Sequence, residues 1–160
     1  MSIPWQRRVE YASGFLALGM TAQAAEELGA LAPADRQRRE VLAAWCTLYS
    51  EIQDWPKMAE TGEKLARADP DQDQGWISWA FALREMQQIG EARDVLLAAE
   101  PLHPNCGTLH YNLACYHCLL GNMPEAERRL RRALALDRSW KKAALGDSDL
   151  TAMRERIRQL

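Results

Sequence analysis

Apolar residues return along this chain at intervals of three and four, and the whole pattern returns every 34 residues. Residues 5–38, 39–72, 73–106 and 107–140 align without a gap. The seventh position of each unit is large and apolar (Tyr11, Trp45, Trp79, Leu113), and the eighth is small (Ala12, Cys46, Ala80, Ala114). The eleventh carries Phe15, Tyr49, Leu83 and His117, and the fourteenth carries Leu18, Ile52, Met86 and Leu120. At the twentieth stand Ala24, Met58, Ala92 and Ala126. Positions 4, 7, 8, 11 and 14 share one face of an α-helix. Small residues at 8 and 20 let two helices of one unit approach closely, with the large ones filling the space around that contact.

Punctuation in the sequence agrees with two helices per unit. Position 15 is Gly19, Gln53, Gln87 or Gly121, where a first helix needs a left-handed C-terminal residue. Asp54-Trp55-Pro56 and Asn122-Met123-Pro124-Glu125 supply the N-cap and first-turn proline of a second helix. Asp69-Pro70 and His103-Pro104 end that second helix, because the residue before proline is pushed out of the α region. Repeats of this length predict an all-α stack of helix pairs.

With these residues in view, the chain resembles the tetratricopeptide repeat family, whose unit is two antiparallel helices in 34 residues. The fourth unit carries the pattern most fully: Tyr111-Asn112-Leu113-Ala114, Leu120-Gly121-Asn122, Pro124-Glu125-Ala126 and Ala133 to Asp137. Trp76, Ala80, Ala92, Ala99 and Pro104 give the third nearly as much. Units one and two depart from it, with Arg8 where Trp is typical and with Met58 and Gly62 for the usual Ala and bulky residue. The resemblance covers the four units. It implies a right-handed superhelical solenoid of antiparallel helix pairs, read as one domain over 1–160.

Lys141 to Leu160 follow the last unit, with Leu150, Met153, Ile157 and Leu160 on one helical stripe and Ser148 or Asp149 as caps. A capping helix over about 148–160 is expected, since an end repeat leaves a face uncovered. Ala144 to Leu150 with Met153-Arg154 is similar to the closing segment after the last repeat of some bacterial members.

The resemblance implies that first helices line a concave groove through positions 2, 5, 6, 9, 12 and 13. Those positions hold an apolar strip on the third and fourth units. Ile77, Phe81, Arg84, Thr108, Tyr111, Asn112, Cys115 and Leu119 are the candidate partner-binding residues. Two readings of that strip stand side by side: an open groove for a protein or peptide, or internal packing beneath the C-terminal helix. The carboxylate clamp of heat-shock co-chaperones is absent, because positions 2 and 6 read Gln6 and Glu10, Glu40 and Ala44, Gln74 and Ser78, Thr108 and Asn112.

Composition narrows the function classes. The 160 residues are 48% hydrophobic and 26% charged with net charge −2, which gives no general pull toward nucleic acid or membrane. The charge is uneven: ten Lys and Arg face sixteen acids in residues 1–106, and ten face six in 107–160. The first residues lack a signal peptide's apolar stretch and no apolar run of spanning length occurs, so a cytoplasmic location is expected. Four irregularly spaced cysteines point to reduced thiols.

Candidate chemistry adds little. Cys106, His110, Cys115, His117 and Cys118 are zinc-ligand types, but on one helix they do not converge, His110 and His117 lying about 10 Å apart along the axis. The C-x-x-C of Cys115 and Cys118 sits two turns into its helix, away from the N-terminus that would stabilise a thiolate. Trp45, Trp76 and Trp79 fall on packing columns, and Trp55 and Trp140 lie at unit ends as bridges between helices. Arg128, Arg129, Arg131 and Arg132 read as a solvated face paired with Glu125 and Glu127, or as an acidic-partner or nucleic-acid surface. No catalytic constellation is visible, and no metal or cofactor is expected. The expectation is a non-catalytic scaffold, adaptor or chaperone-like protein binder, with a structural homo-oligomer built through repeat ends or the capping helix as the alternative.

Overall fold

The computed structural model describes residues 3–160, so Met1 and Ser2 of the expected 1–160 domain lie outside the described residues. Among the described residues there are ten α-helices, two 3₁₀ turns and no strand. The first helices are α1 (Trp5–Ala17), α3 (Arg39–Glu51), α5 (Asp73–Glu85) and α7 (Gly107–Leu119), each 13 residues long and each starting 34 residues after the last. Their companions are α2 (Thr21–Gly29), α4 (Trp55–Ala68), α6 (Ile89–Ala99) and α8 (Met123–Leu136). The tail holds α9 (Trp140–Gly146), a 3₁₀ turn (Ser148–Met153) and α10 (Arg154–Gln159).

Each first helix stops in the same way. Gly19, Gln53, Gln87 and Gly121 have φ of +71°, +57°, +63° and +81°. The next amide then reaches back across the last turn: Met20 N to Phe15 O at 2.8 Å, Asp54 N to Tyr49 O at 2.9 Å, Gln88 N to Leu83 O at 2.9 Å, and Asn122 N to His117 O at 2.8 Å. These are four copies of one Schellman C-cap, which satisfies orphan carbonyls and turns the chain into the second helix. The second helices α4 and α8 start on a side chain, Asp54 Oδ1 accepting from Lys57 N and Asn122 Oδ1 from Glu125 N.

By its internal packing the chain divides into two compact units, residues 1–82 and 83–160, with the boundary inside α5. In the first unit Ala12, Ala24, Leu28, Leu31, Val41, Ala44 and Leu48 form the core, with Trp5, Val9, Phe15, Leu16, Ala25 and Trp45 packed around it. The two departures from the repeat pattern find their reasons here. Arg8 Nη1 donates to Glu27 Oε2 at 2.8 Å, so a half-buried ion pair joins α1 to α2 where an aromatic residue would otherwise pack. A Cβ on Gly62 would lie 2.7 Å from Trp79 N and 2.9 Å from its Cα, so α4 admits α5 only because that side chain is missing.

In the second unit Ala92, Leu96, Ala99, Leu109, Leu113, Ala114, Ala126, Leu130 and Ala133 are buried between α6, α7 and α8. The tail then folds back, its 3₁₀ turn packing on α7 and α10 on α9. Leu150, Met153 and Ile157 are fully buried, and Leu160 is half-buried. In place of one helix begun by Ser148 or Asp149, the segment opens on Asp147, whose carboxylate accepts from Asp149 N at 2.9 Å, and only its second half is α-helical.

Candidate functional site

The residues proposed from the sequence fall on two surfaces. In the first unit, α5 presents Ile77 and Phe81 one turn apart; Ile77 is half-buried and Phe81 is 38% exposed. Phe81 is held from one side by the edge of Trp55 at the start of α4, with ring centroids 5.8 Å apart. Trp79 and Trp76 stack at 6.2 Å, and Trp76 Nε1 donates to Pro70 O at 3.1 Å, which fixes the first turns of α5. In the same unit, Arg39, Glu40, Ala43, Leu65, Gln72 and Gln74 line a cavity of about 150 Å³.

In the second unit, the tail covers α7. Tyr111 stacks on Trp140 with centroids 4.4 Å apart and donates its hydroxyl to Asp147 Oδ2 at 2.7 Å. The Cys115 thiol faces the same carboxylate oxygen at 3.7 Å. Arg84, in the last turn of α5, grips Asp149 with two nitrogens, Nε standing 2.9 Å from Oδ2. Tyr111, Cys115 and Cys118 are buried, Thr108 and Asn112 half-buried, and Leu119 exposed. The tail's own segment therefore occupies Tyr111, Cys115 and Arg84, which the sequence offered to a partner. A shallow cleft remains outside it, lined by Tyr111, Ser139, Lys142, Ala143, Gly146 and Asp147.

Energetics decide whether such a cover is fixed. Each fully buried Leu, Met or Ile is worth about 1.5–3 kcal/mol, so Leu150, Met153 and Ile157 together hold the tail by up to roughly 5–9 kcal/mol. That approaches the stability of a whole domain. The Arg84–Asp149 fork and the Tyr111–Asp147 bond add direction, since each partner left alone in that place would be a stranded polar group. The tail is part of the second unit's core.

Cys115 Sγ and one carboxylate oxygen from each of Asp147 and Asp149 lie within 4.8 Å of one another. Their donors and acceptors are already committed to Tyr111 and Arg84. Burial, and then the Asp147 charge, push the Cys115 thiol up, so it stays protonated at neutral pH and is neither a nucleophile nor a ready metal ligand. Burial also raises the Cys118 thiol, which contacts Met123 Sδ at 3.9 Å. His110 takes a separate role, its Nε2 bonding Pro104 O at 2.8 Å.

The arginine run on α8 divides. Arg128 and Arg131 are exposed and paired with Glu125 and Glu127, and Arg132 reaches Asn105 at 2.6 Å. Arg129 is buried, donating to Glu125 at 2.8 Å and Glu100 at 2.5 Å, with His110 Nδ1 at 3.4 Å. It ties α6, α7 and α8 together, a role that the sequence reading of a solvated face missed. Asp147 was missed as well, and Asp149 was read only as a helix cap. Their one signal is an acidic pair after Gly146 in a tail whose net charge is positive.

Among the described residues no helix is long and apolar enough to cross a membrane. No family model matches the chain, and no curated relative matches it. Solved structures do. MamA (residues 41 to the end) from Desulfovibrio magneticus RS-1 superposes with TM-score 0.79 at 17% identity, over 98% of this chain and 86% of that one. TTC0263, a thermophilic TPR protein in Thermus thermophilus, gives 0.71 at 20% identity over 98% and 100%. MamA MSR-1 gives 0.73 at 20% identity over 86% and 79%. The all-helical fold of this chain is thus that of tetratricopeptide-type repeat proteins.

Proposed function

We propose that the protein is a non-catalytic interaction module of four repeats (5–38, 39–72, 73–106 and 107–140), and that a partner protein's segment binds on the first helices of residues 3–82. The observation that carries this reading is the Ile77–Phe81 pair, an aromatic side chain left 38% exposed yet held in place by Trp55. An exposed aromatic group with a fixed orientation loses little entropy on binding, which is what a binding anchor requires. Of the residues first considered on the fourth unit, Leu119 on α7 remains exposed and Thr108 and Asn112 half-buried. The test is capture of proteins from the native source on immobilised protein, wild type against Phe81→Asp. Loss of specific partners with unchanged helical circular dichroism is expected, and equal capture by the variant overturns the reading.

A structural role is favoured by a different observation. Tyr11 occupies the repeat position that Trp79 uses against α4, yet it is 45% exposed, and Leu18 is 74% exposed. Self-association through α1 would cover both. Light scattering across concentration decides this, since a strict monomer removes it.

A further inference from the structure

We infer that the partner segment bound by the first unit is basic and extended, with a lysine or arginine seated beside Glu40 and an apolar side chain on Ile77 and Phe81. This rests on the binding face proposed above and names the chemistry of its partner.

Charge selects the sign. At the partner-facing positions of α1, α3 and α5 within residues 3–82, the charged residues are Glu10, Glu40 and Glu51, all exposed. Arginine and lysine are absent from those positions. Glu10 is paired with Arg7 at 3.1 Å in an exposed contact, worth little in water. Arg39 lies 3.6 Å from Glu40 but closer, at 3.2 Å, to Asp69, so the three charges together remain negative. Residues 1–82 as a whole carry twelve acids against eight Lys and Arg. A cationic segment is drawn to such a face and an acidic one is repelled.

Shape selects the side chains. The cavity of about 150 Å³ has Leu65, which is buried, and Ala43 for its apolar wall, with Glu40, Gln72, Gln74 and Arg39 around them, the Arg39 guanidinium standing 3.2 Å from Asp69. That volume holds a group the size of benzene. A long cationic side chain suits it, laying its methylene stem on Leu65 and Ala43 and its head at Glu40 and the amide oxygens. From Gln74 to Phe81 the helix runs seven residues, roughly 10 Å. An extended chain covers that distance in about three residues. The recognised element is therefore a cation followed, or preceded, by an apolar residue three positions away.

The test uses the full chain and a short fluorescein-labelled peptide with Lys and Phe three positions apart in a Gly-Ser background, read by fluorescence anisotropy. The reference peptides replace Lys by Glu, or Phe by Ser. Glu40→Lys and Phe81→Ser, both at exposed positions, should each weaken the Lys–Phe peptide about tenfold, the usual worth of one such contact. Glu40→Gln should fall between wild type and Glu40→Lys, and added salt should weaken the wild-type interaction. Equal or tighter binding of the Glu peptide, or no effect of Glu40→Lys, overturns the assignment. If the Lys peptide fails to bind while Phe81→Asp still abolishes capture of native partners, the basic motif is wrong and the binding face stands. If Phe81→Asp leaves that capture intact as well, the face itself is wrong.

Discussion

The two units leave the same first-helix positions in different surroundings. In residues 3–82 Glu10, Glu40, Glu51 and Phe81 stay exposed at those positions, Ala44 is buried with Val9 and Leu16 packed beside it, and Trp55 holds Phe81 at its edge. On α7 the tail lies across them, with Tyr111 on Trp140, Tyr111 and Cys115 at Asp147, and Arg84 on Asp149. The repeat pattern gives both surfaces one alphabet, so what separates an exposed face from a core is what the chain places over it. An apolar strip read from repeat positions is thus two different objects, and only contacts made over long sequence separations tell them apart.

The largest effect comes from breaking the closed side. Leu150→Asp places a carboxylate in a fully buried site and should cost more than about 4 kcal/mol, among the severest single changes a fold of this size meets. Hydrogen exchange should show protection lost in α7 while α1 to α4 keep theirs. Unaltered protection of α7 would make the tail a loose cover, and the contrast between the units would vanish.

A smaller effect sharpens the comparison through pH. Arg128 first, and Arg129 after it, hold the Glu125 carboxyl down to about 2, against about 4.3 for an unperturbed glutamate. The stabilisation is complete above pH ~4.3 and is lost as the pH falls toward about 2. Acid should therefore loosen the α6–α7–α8 contact around Arg129, and Glu125→Gln should flatten that part of the profile. Stability followed by circular dichroism between neutral and acid pH checks this, and an identical profile in the variant would remove Glu125 from the account.

The smallest effect is the same in both units. Gln53 and Gln87 sit at φ of +57° and +63°, where Gly19 and Gly121 sit at no steric cost. Gln53→Gly and Gln87→Gly should each gain about 0.5–1 kcal/mol, because relief of the left-handed strain outweighs the added freedom of the unfolded chain. Urea titration resolves a change of this size. A loss of stability would mean that the glutamine side chains hold more than their backbone costs.

Much of the fold was legible because it is written locally. The four C-caps follow from one residue column, and the helix starts at Asp54 and Asn122 from side chains within reach of their own amides. Gly62 looked like a lapse in the pattern, since its reason is the backbone at Trp79, seventeen residues away. Arg129 looked solvated because its near partner is Glu125, while its burial depends on Glu100 and His110. Of the candidate site, Ile77 and Phe81 share one side of α5 by their spacing, and the resemblance to the repeat family is what assigned that side to a partner. The fate of Tyr111 and Cys115 could not, because it is decided by two aspartates beyond the last repeat.

The Tyr111–Trp140 stack gives the closed side an optical signature. A phenol and an indole 4.4 Å apart and inclined by 21° are near enough for efficient excitation transfer and for a strong near-ultraviolet dichroic band. Trp140→Phe subtracts that band from the spectrum of the other tryptophans and isolates it. The difference spectrum then reports whether the tail is seated, in free solution and without a label, while the first unit is being titrated.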